Sequence, residues 1–311
     1  MVIRRILISF MLTSTAYGVT VSPKTPYLRL DGAIYHPKIN KKSELLAYSN
    51  PDGMGLYVLD LKTRKTKVVT PHRVNGAYFW APDNTRLIFR EIFLENGKIM
   101  SAIKAFDNKL NRPVEIDSVE GPTSDLSFDP RDHRFYAMSK TGIKSHLLQY
   151  PSQRLAAWQK SQRTKIGYWL ATVSNILWIH NRGVSMRSVS QDTGNNIEAH
   201  SISPNGEAIV WAHSDGKIFV SDLGGKARFV DFGTDPSWHP DGKHIVYAKS
   251  IRVAGKAVSH NIAIATRDGH LKQLSHTPNT DERFPIWLPK SSSILYTHHL
   301  STDLFEMSFD L

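Results

Sequence analysis

Apolar and polar positions alternate along the chain in short runs, and turn-forming residues separate the runs. The stretch beginning at Asp235 shows the pattern. Residues 236–239 predict a short strand. Pro240-Asp241-Gly242-Lys243 predicts a turn, with Gly242 free to take a positive φ. Residues 244–248 alternate and are rich in aromatic and β-branched side chains, which predicts a second strand. Residues 261–265 predict a third, Asp268-Gly269 a further turn, and residues 271–274 a fourth. No long segment carries the 3.6-residue period of an amphipathic helix; the nearest candidate is residues 154–165.

The same unit recurs. An aromatic residue, one intervening residue and a proline precede a polar turn and an apolar strand. This reads Tyr35-His36-Pro37, Trp80-Ala81-Pro82, Phe128-Asp129-Pro130, Trp238-His239-Pro240 and Trp287-Leu288-Pro289, with Ile202-Ser203-Pro204 as a variant. The gap from Pro130 to Pro204 is about twice the others, so a degenerate unit is expected around Tyr168-Trp169-Leu170 and Asn175-Ile176-Leu177-Trp178. Four short strands in a unit of roughly 40 residues are the mark of a β-propeller blade. The expected fold is therefore all-β: a single propeller of four-stranded blades over residues 19–311. The blades number seven by count, starting near Ala33, Ala77, Ser124, Ile166, Glu198, Asp235 and Phe284, or six if the unit near Ile166 is an insertion. The last unit has only three strands. Residues 19–30 are expected to add its outer strand and close the ring, because an open ring leaves unpaired sheet edges. Trp80, Trp238 and Trp287 occupy one repeat position and are expected to pack between blades.

Trp238-His239-Pro240-Asp241-Gly242-Lys243-His244-Ile245-Val246-Tyr247 resembles the repeat of TolB-type propellers, in which a tryptophan and a serine precede Pro-Asp-Gly-Lys and an apolar strand. Ser203-Pro204-Asn205-Gly206-Glu207 and Ala81-Pro82-Asp83-Asn84 are weaker copies. The resemblance implies a propeller fold. It spans functions from envelope binding proteins to peptidase propellers and oligogalacturonate lyases, so it does not assign an activity. TolB proteins carry a further α/β domain before the propeller, whereas only about fifteen residues are expected between the leader and the first blade here.

Residues 1–18 read as a secretory signal. Arg4 and Arg5 give a positive start, an apolar run follows, and Ala16-Tyr17-Gly18 has small residues at the two positions inspected on cleavage. The apolar run is shorter than the roughly 20 residues a membrane helix needs, so no transmembrane span is expected and the expected location is periplasmic or secreted. The chain has 39 Lys and Arg against 28 Asp and Glu, a net charge of +11. That charge favours an acidic protein or an anionic glycan or lipid, and export removes intracellular nucleic acid from the partners. No cysteine is present, which excludes disulfides, thiolate metal sites and a cysteine nucleophile. The sequence has no Gly-x-Ser-x-Gly elbow, no His-Glu-x-x-His, no phosphate-binding glycine loop and no Asp-x-Asp-x-Asp-Gly loop.

One constellation carries candidate chemistry. The second strands align on Tyr48, Phe89, Ala137, Trp178, Trp211, Tyr247 and Tyr296. Two residues later, on the same side of each strand, stand Asn50, Glu91, Ser139, His180, His213, Lys249 and His298. All seven are polar and three are histidine. They are expected at the loop face of the disc, with enlarged hairpins at residues 91–100 and 251–260 beside them. These seven are the candidate ligand-binding residues, and His180, His213 and His298 the candidate ligands of a divalent metal, although no cofactor is required. His36 and His239 precede blade prolines and are expected to satisfy turn hydrogen bonds. The leading functional expectation is an exported, monomeric, non-enzymatic propeller that binds an envelope protein or anionic envelope partner through its loop face. The alternative is a metal-dependent lyase acting on an acidic oligosaccharide, in which the metal and a basic side chain would stabilise the charge left by proton abstraction.

Overall fold

A computed structural model describes residues 26–108, 110–121, 123, 126–129, 134–139, 142–147, 168–173, 176–181, 184–188, 197–223, 225–277 and 279–309. The expected signal segment and residues 154–165 lie outside these. Every regular element among the described residues is a β-strand, and all the pairings are antiparallel. No helix is long and apolar enough to cross a membrane among the described residues.

The strands follow one another in up-and-down order. Tyr35–Ile39, Leu45–Ser49, Met54–Asp60 and Lys65–Arg73 form the first unit. Tyr78–Trp80, Arg86–Glu95, Lys98–Asp107 and Arg112–Glu120 form the second. Three strands are described in each of the next two: Ser127–Asp129, Arg134–Ser139 and Gly142–Leu147, then Tyr168–Val173, Ile176–Asn181 and Val184–Ser188. The unit after these comprises Ile197–Ile202, Ala208–His213, Lys217–Asp222 and the first half of Arg228–Trp238. The second half of that long strand opens the following unit, with His244–Val253, Lys256–Thr266 and Leu271–Gln273. Its residues 228–232 pair backwards with Lys217–Asp222, and residues 233–238 pair forwards with His244–Val253. The separate strand expected at residues 236–239 is thus the end of an 11-residue strand shared by two units. Glu282–Trp287, Ser293–His298 and Asp303–Ser308 complete the order, and Leu28–Arg29 pairs with the last of these as Leu28↔Leu304 and Arg29↔Asp303. The N-terminal strand closes the ring as the edge-strand argument requires.

The second strands are buried almost throughout and form the core. Leu46, Tyr48, Ile88, Phe89, Ile209, Trp211, Ile245, Tyr247, Ile294 and Tyr296 are all buried, because a blade between two others has both faces covered. Buried apolar clusters form on both sides: Ile245 and Tyr247 pack with Val210, Ala212 and Val230 of the preceding unit, while Val246 and Ile262 pack with Trp287 and Tyr296 of the next. The tryptophans tie these layers. Trp80 Nε1 donates to Lys38 O at 2.8 Å, Trp238 Nε1 to Ser201 O at 3.1 Å, and Trp287 Nε1 to Ser237 O at 3.1 Å. Each bond crosses from one unit's first strand to the first strand of the unit before it.

The turn after the first strand also repeats. The amides of Asn40, Ala81, Ser203, His239 and Leu288 donate to the carbonyls of Leu45, Arg86, Ala208, His244 and Ser293. This register corrects one expectation. In the first unit the repeat position of Trp238 is held by Ile39, and the turn is Asn40-Lys41-Lys42-Ser43. Tyr35-His36-Pro37 lies earlier, inside the strand. Its structural counterparts are Thr234-Asp235-Pro236 and Arg283-Phe284-Pro285, which break register in the same place. An aromatic next to a proline arises at both positions, so the motif alone does not separate them.

Candidate functional site

The first strands of adjacent units adjoin one another, which sets them innermost around the ring axis. A first strand there has one edge without a ladder partner, so a proline lacking an N–H fits it, especially at a bulge. Three consecutive units around the closure use this. His36, Asp235 and Phe284 each precede a proline and take left-handed φ values of 49°, 54° and 52°. Such a conformation costs on the order of 1–3 kcal/mol for a non-glycine residue and clusters where backbone must be re-aimed.

The re-aimed residues meet at one rim. Arg283 Nε donates to Asp235 Oδ2 at 2.9 Å, and the Phe284 amide reaches the same oxygen at 3.3 Å. Tyr35 lies with its ring 4.7 Å from that of Phe284, and its hydroxyl is 3.3 Å from His299 Nδ1. His260 Nδ1 is 2.6 Å from Asp281 Oδ1. Burial tends to raise the Asp281 carboxyl, but the His260 hydrogen bond and the neighbouring Arg283 and His299 hold it below the usual carboxylate range. Burial likewise opposes charge on Arg283, yet Asp235 and Asp281 outweigh it and keep the guanidinium firmly protonated. Burial pushes the Tyr35 phenol up, with Arg283 opposing and both aspartates reinforcing. One guanidinium stands between two carboxylates, so a simple anion gains little here. The rim is a polar and aromatic seat of mixed charge.

This rim lies at the end of the disc where the sequence-derived column was expected. Glu282 pairs with His298, Gly233 with Lys249, and Tyr35 with Ser49, the neighbour of Asn50. The column residues stand at, just past or part-way along the second strands, as their spacing implied. Their side chains, however, serve their surroundings. Asn50 Nδ2 donates to Tyr57 Oη at 3.2 Å. Glu91 is buried, accepts from Thr70 Oγ1 at 2.6 Å and pairs with Lys104 at 2.5 Å. His213 Nε2 accepts from Trp211 Nε1 at 3.2 Å, and its ring lies 5.0 Å from that of Phe219. Lys249 pairs with Asp231, which also accepts from Tyr247 Oη at 2.7 Å. His298 stacks on Phe305 with centroids 4.2 Å apart. Burial lowers the pKa of both His213 and His298, with nearby acidic groups only partly offsetting it. The side chains of Ser139 and His180 lie outside the described residues.

The two hairpins are longer than a blade needs. Arg86–Glu95 and Lys98–Asp107 stay paired out to Glu95↔Lys98, and His244–Val253 and Lys256–Thr266 out to Val253↔Lys256. Asn96-Gly97 and Ala254-Gly255 turn them with two successive positive φ values, the two-residue hairpin geometry. Leu94, Ile99, Val253 and Val258 are exposed near their tips. Sequence reasoning found the long hairpins and missed the rim, whose residues come from three units. The available signal was the X-Pro step inside a strand.

No protein-family model matches the sequence. No curated protein matches it either. Solved structures do resemble the fold. TolB from Acinetobacter baumannii is 19% identical over 85% of this chain and 59% of that one, with a TM-score of 0.54. This chain thus spans about three fifths of that protein's length. The Cps50 (Swd1) β-propeller domain of Myceliophteria thermophila is 13% identical over 90% of this chain and 98% of its own, with a TM-score of 0.59. A chain of the mitotic checkpoint complex is 14% identical over 99% of this chain and all of its own, with a TM-score of 0.61. At these identities the likeness is one of fold: the chain is a β-propeller, and its similarity to TolB holds at that level.

Proposed function

We propose that this propeller is a non-enzymatic binding module of the cell envelope, exported through residues 1–18, whose loop face takes a protein partner between its two long hairpins. The observation that carries the reading is the pair of projecting hairpins with exposed Leu94, Ile99, Val253 and Val258, on the same face as the Tyr35–Arg283 rim. Exposed apolar residues bordered by polar ones mark protein contact surfaces. A mixed-charge, aromatic rim suits a polypeptide better than a polyanion, which narrows the partner from the class the net charge alone favours. The described contacts of His213 and His298 lend no support to the lyase alternative.

The test is site-specific photocrosslinking in the organism that makes the protein. A photoreactive residue at Leu94 or Val253 is expected to give the same discrete protein adduct. The same residue at Val68 or Leu271, exposed on outer strands, is expected to give none. The double substitution L94D/V253D should abolish an adduct formed from Ile99. Equal adducts from all positions, or none from the hairpins, would refute the proposal.

A further inference from the structure

The opposite end of the disc carries a second constellation, independent of the loop face. His239 and Asp241 lie on the turn between two strands and His244 opens the second of them, and one ligand atom from each is within 4.8 Å of the other two. His239 Nδ1 is 3.0 Å from Asp241 Oδ1, and His244 Nδ1 is 2.6 Å from Asp241 Oδ2. All three side chains are partly open to solvent, with exposures of 22%, 30% and 26%.

The turn itself does not need the histidines. Its fold comes from Asp241 Oδ1, which accepts from the amides of Lys243 at 2.7 Å and His244 at 3.1 Å. The second unit makes the same turn with Asp83, which accepts from the amides of Thr85 at 2.9 Å and Arg86 at 3.0 Å. There Ala81 stands at the place of His239 and Arg86 at the place of His244, and Arg86 pairs with Asp83 at 2.5 Å. A small residue and an ordinary ion pair therefore suffice. In the His239 turn two imidazoles converge on a carboxylate whose orientation the backbone already fixes. The His239 ring is also held, edge-on to Trp287 with centroids 4.5 Å apart. Fixed outer contacts of this kind pre-set metal ligands.

We propose that His239, Asp241 and His244 bind one divalent transition-metal cation of the zinc class. Two imidazoles and one carboxylate suit such ions, whose ligand bonds run at about 2.0–2.2 Å. Around a tetrahedral ion those bonds set ligand atoms roughly 3.3–3.6 Å apart. The present contacts are shorter by less than the reach of a side-chain rotation, and the cation would replace the 3.2 Å bond that His239 Nδ1 accepts from the Asp241 amide. Three protein ligands leave one position facing solvent, open to water or to a ligand from outside the chain.

The test titrates the purified protein with Zn2+ by calorimetry and with Co2+ by visible absorption, which reports imidazole bound directly to the ion. One equivalent with a Kd in the micromolar range or below is expected. The variant H239A/H244R copies the Ala81 and Arg86 turn found in the same protein, so it should fold, and it should bind at least 50-fold more weakly. H244Q alone serves as a second variant and should weaken binding at least tenfold. H213Q/H298Q should bind as the parent does. Absence of binding, equal affinity in H244Q, or loss in H213Q/H298Q instead would overturn the proposal.

Discussion

Trp287→Phe measures how much the inter-blade tryptophans contribute to the ring. Trp287 is buried, and its Nε1 donates to Ser237 O at 3.1 Å across the blade boundary. Its ring also meets Phe309 edge-on, with centroids 5.3 Å apart. Phenylalanine keeps the hydrophobic character but has no donor. The lost bond is worth about 1 kcal/mol net. The smaller ring gives up about 40 Å² of buried apolar surface, a further 1 kcal/mol or so. Trp287→Phe is therefore expected to destabilise by about 2 kcal/mol. Trp80 provides the internal comparison. Its Nε1 bond to Lys38 O is shorter, at 2.8 Å, but lies in solvent reach. Water replaces that donor, so Trp80→Phe should cost roughly 0.5 kcal/mol. Urea unfolding followed by far-UV circular dichroism reads both. Equal costs, or a larger cost at Trp80, would refute the idea that these bonds stabilise through burial.

Two further outcomes follow from the geometry. Burial lowers the folded-state pKa of His298 below its ordinary value of 6.5, so the unfolded chain binds the extra proton first. The associated stability is complete above pH 6.5 and is lost as pH falls through the lowered folded value. His298→Phe, which can keep the stack on Phe305, should flatten the loss of stability between pH 7.5 and 5 in thermal melts, and an unchanged slope would sink the argument. Among the glycines, Gly233→Ala puts a methyl 2.5 Å from Ala248 O and 2.8 Å from Tyr247 Cδ2 and should cost more than about 3 kcal/mol, whereas Gly97→Ala, at a hairpin tip with open space around it, should cost about 1 kcal/mol for its positive φ alone; denaturant midpoints compare the two.

Local chemistry in this sequence was readable, and geometry that crosses units was not. Gly242, the polar turns and the alternation of residues 244–248 act within a few residues, so they announced turn and strand directly. The spacing of the column from Asn50 to His298 along the second strands follows from the fixed strand period. Its side-chain roles do not, since Thr70, Asp231 and Phe305, which engage Glu91, Lys249 and His298, are set by pairing with other strands. The rim of Tyr35, Asp235, Asp281 and Arg283 joins three units and depends on left-handed residues before prolines, a choice that sequence-local preference disfavours. His239 reads as a turn residue, and its Nδ1 does accept from the Asp241 amide at 3.2 Å. The convergence of His244 on the same carboxylate needed the turn's three-dimensional form.

The pairing of Leu28–Arg29 with Asp303–Ser308 also sets an order in time. Arg29 and Asp303 are 274 residues apart and joined at 2.6 Å. Bringing such distant segments together from an unfolded chain costs about 3 kcal/mol more loop-closure entropy than forming a ten-residue hairpin. That cost vanishes once the intervening units have folded and stacked, because they deliver both strands to the same place. The seam is therefore made last. Until then the edge of Asp303–Ser308 stands open, and the N-terminal strand waits for the last strand of the order before it can pair.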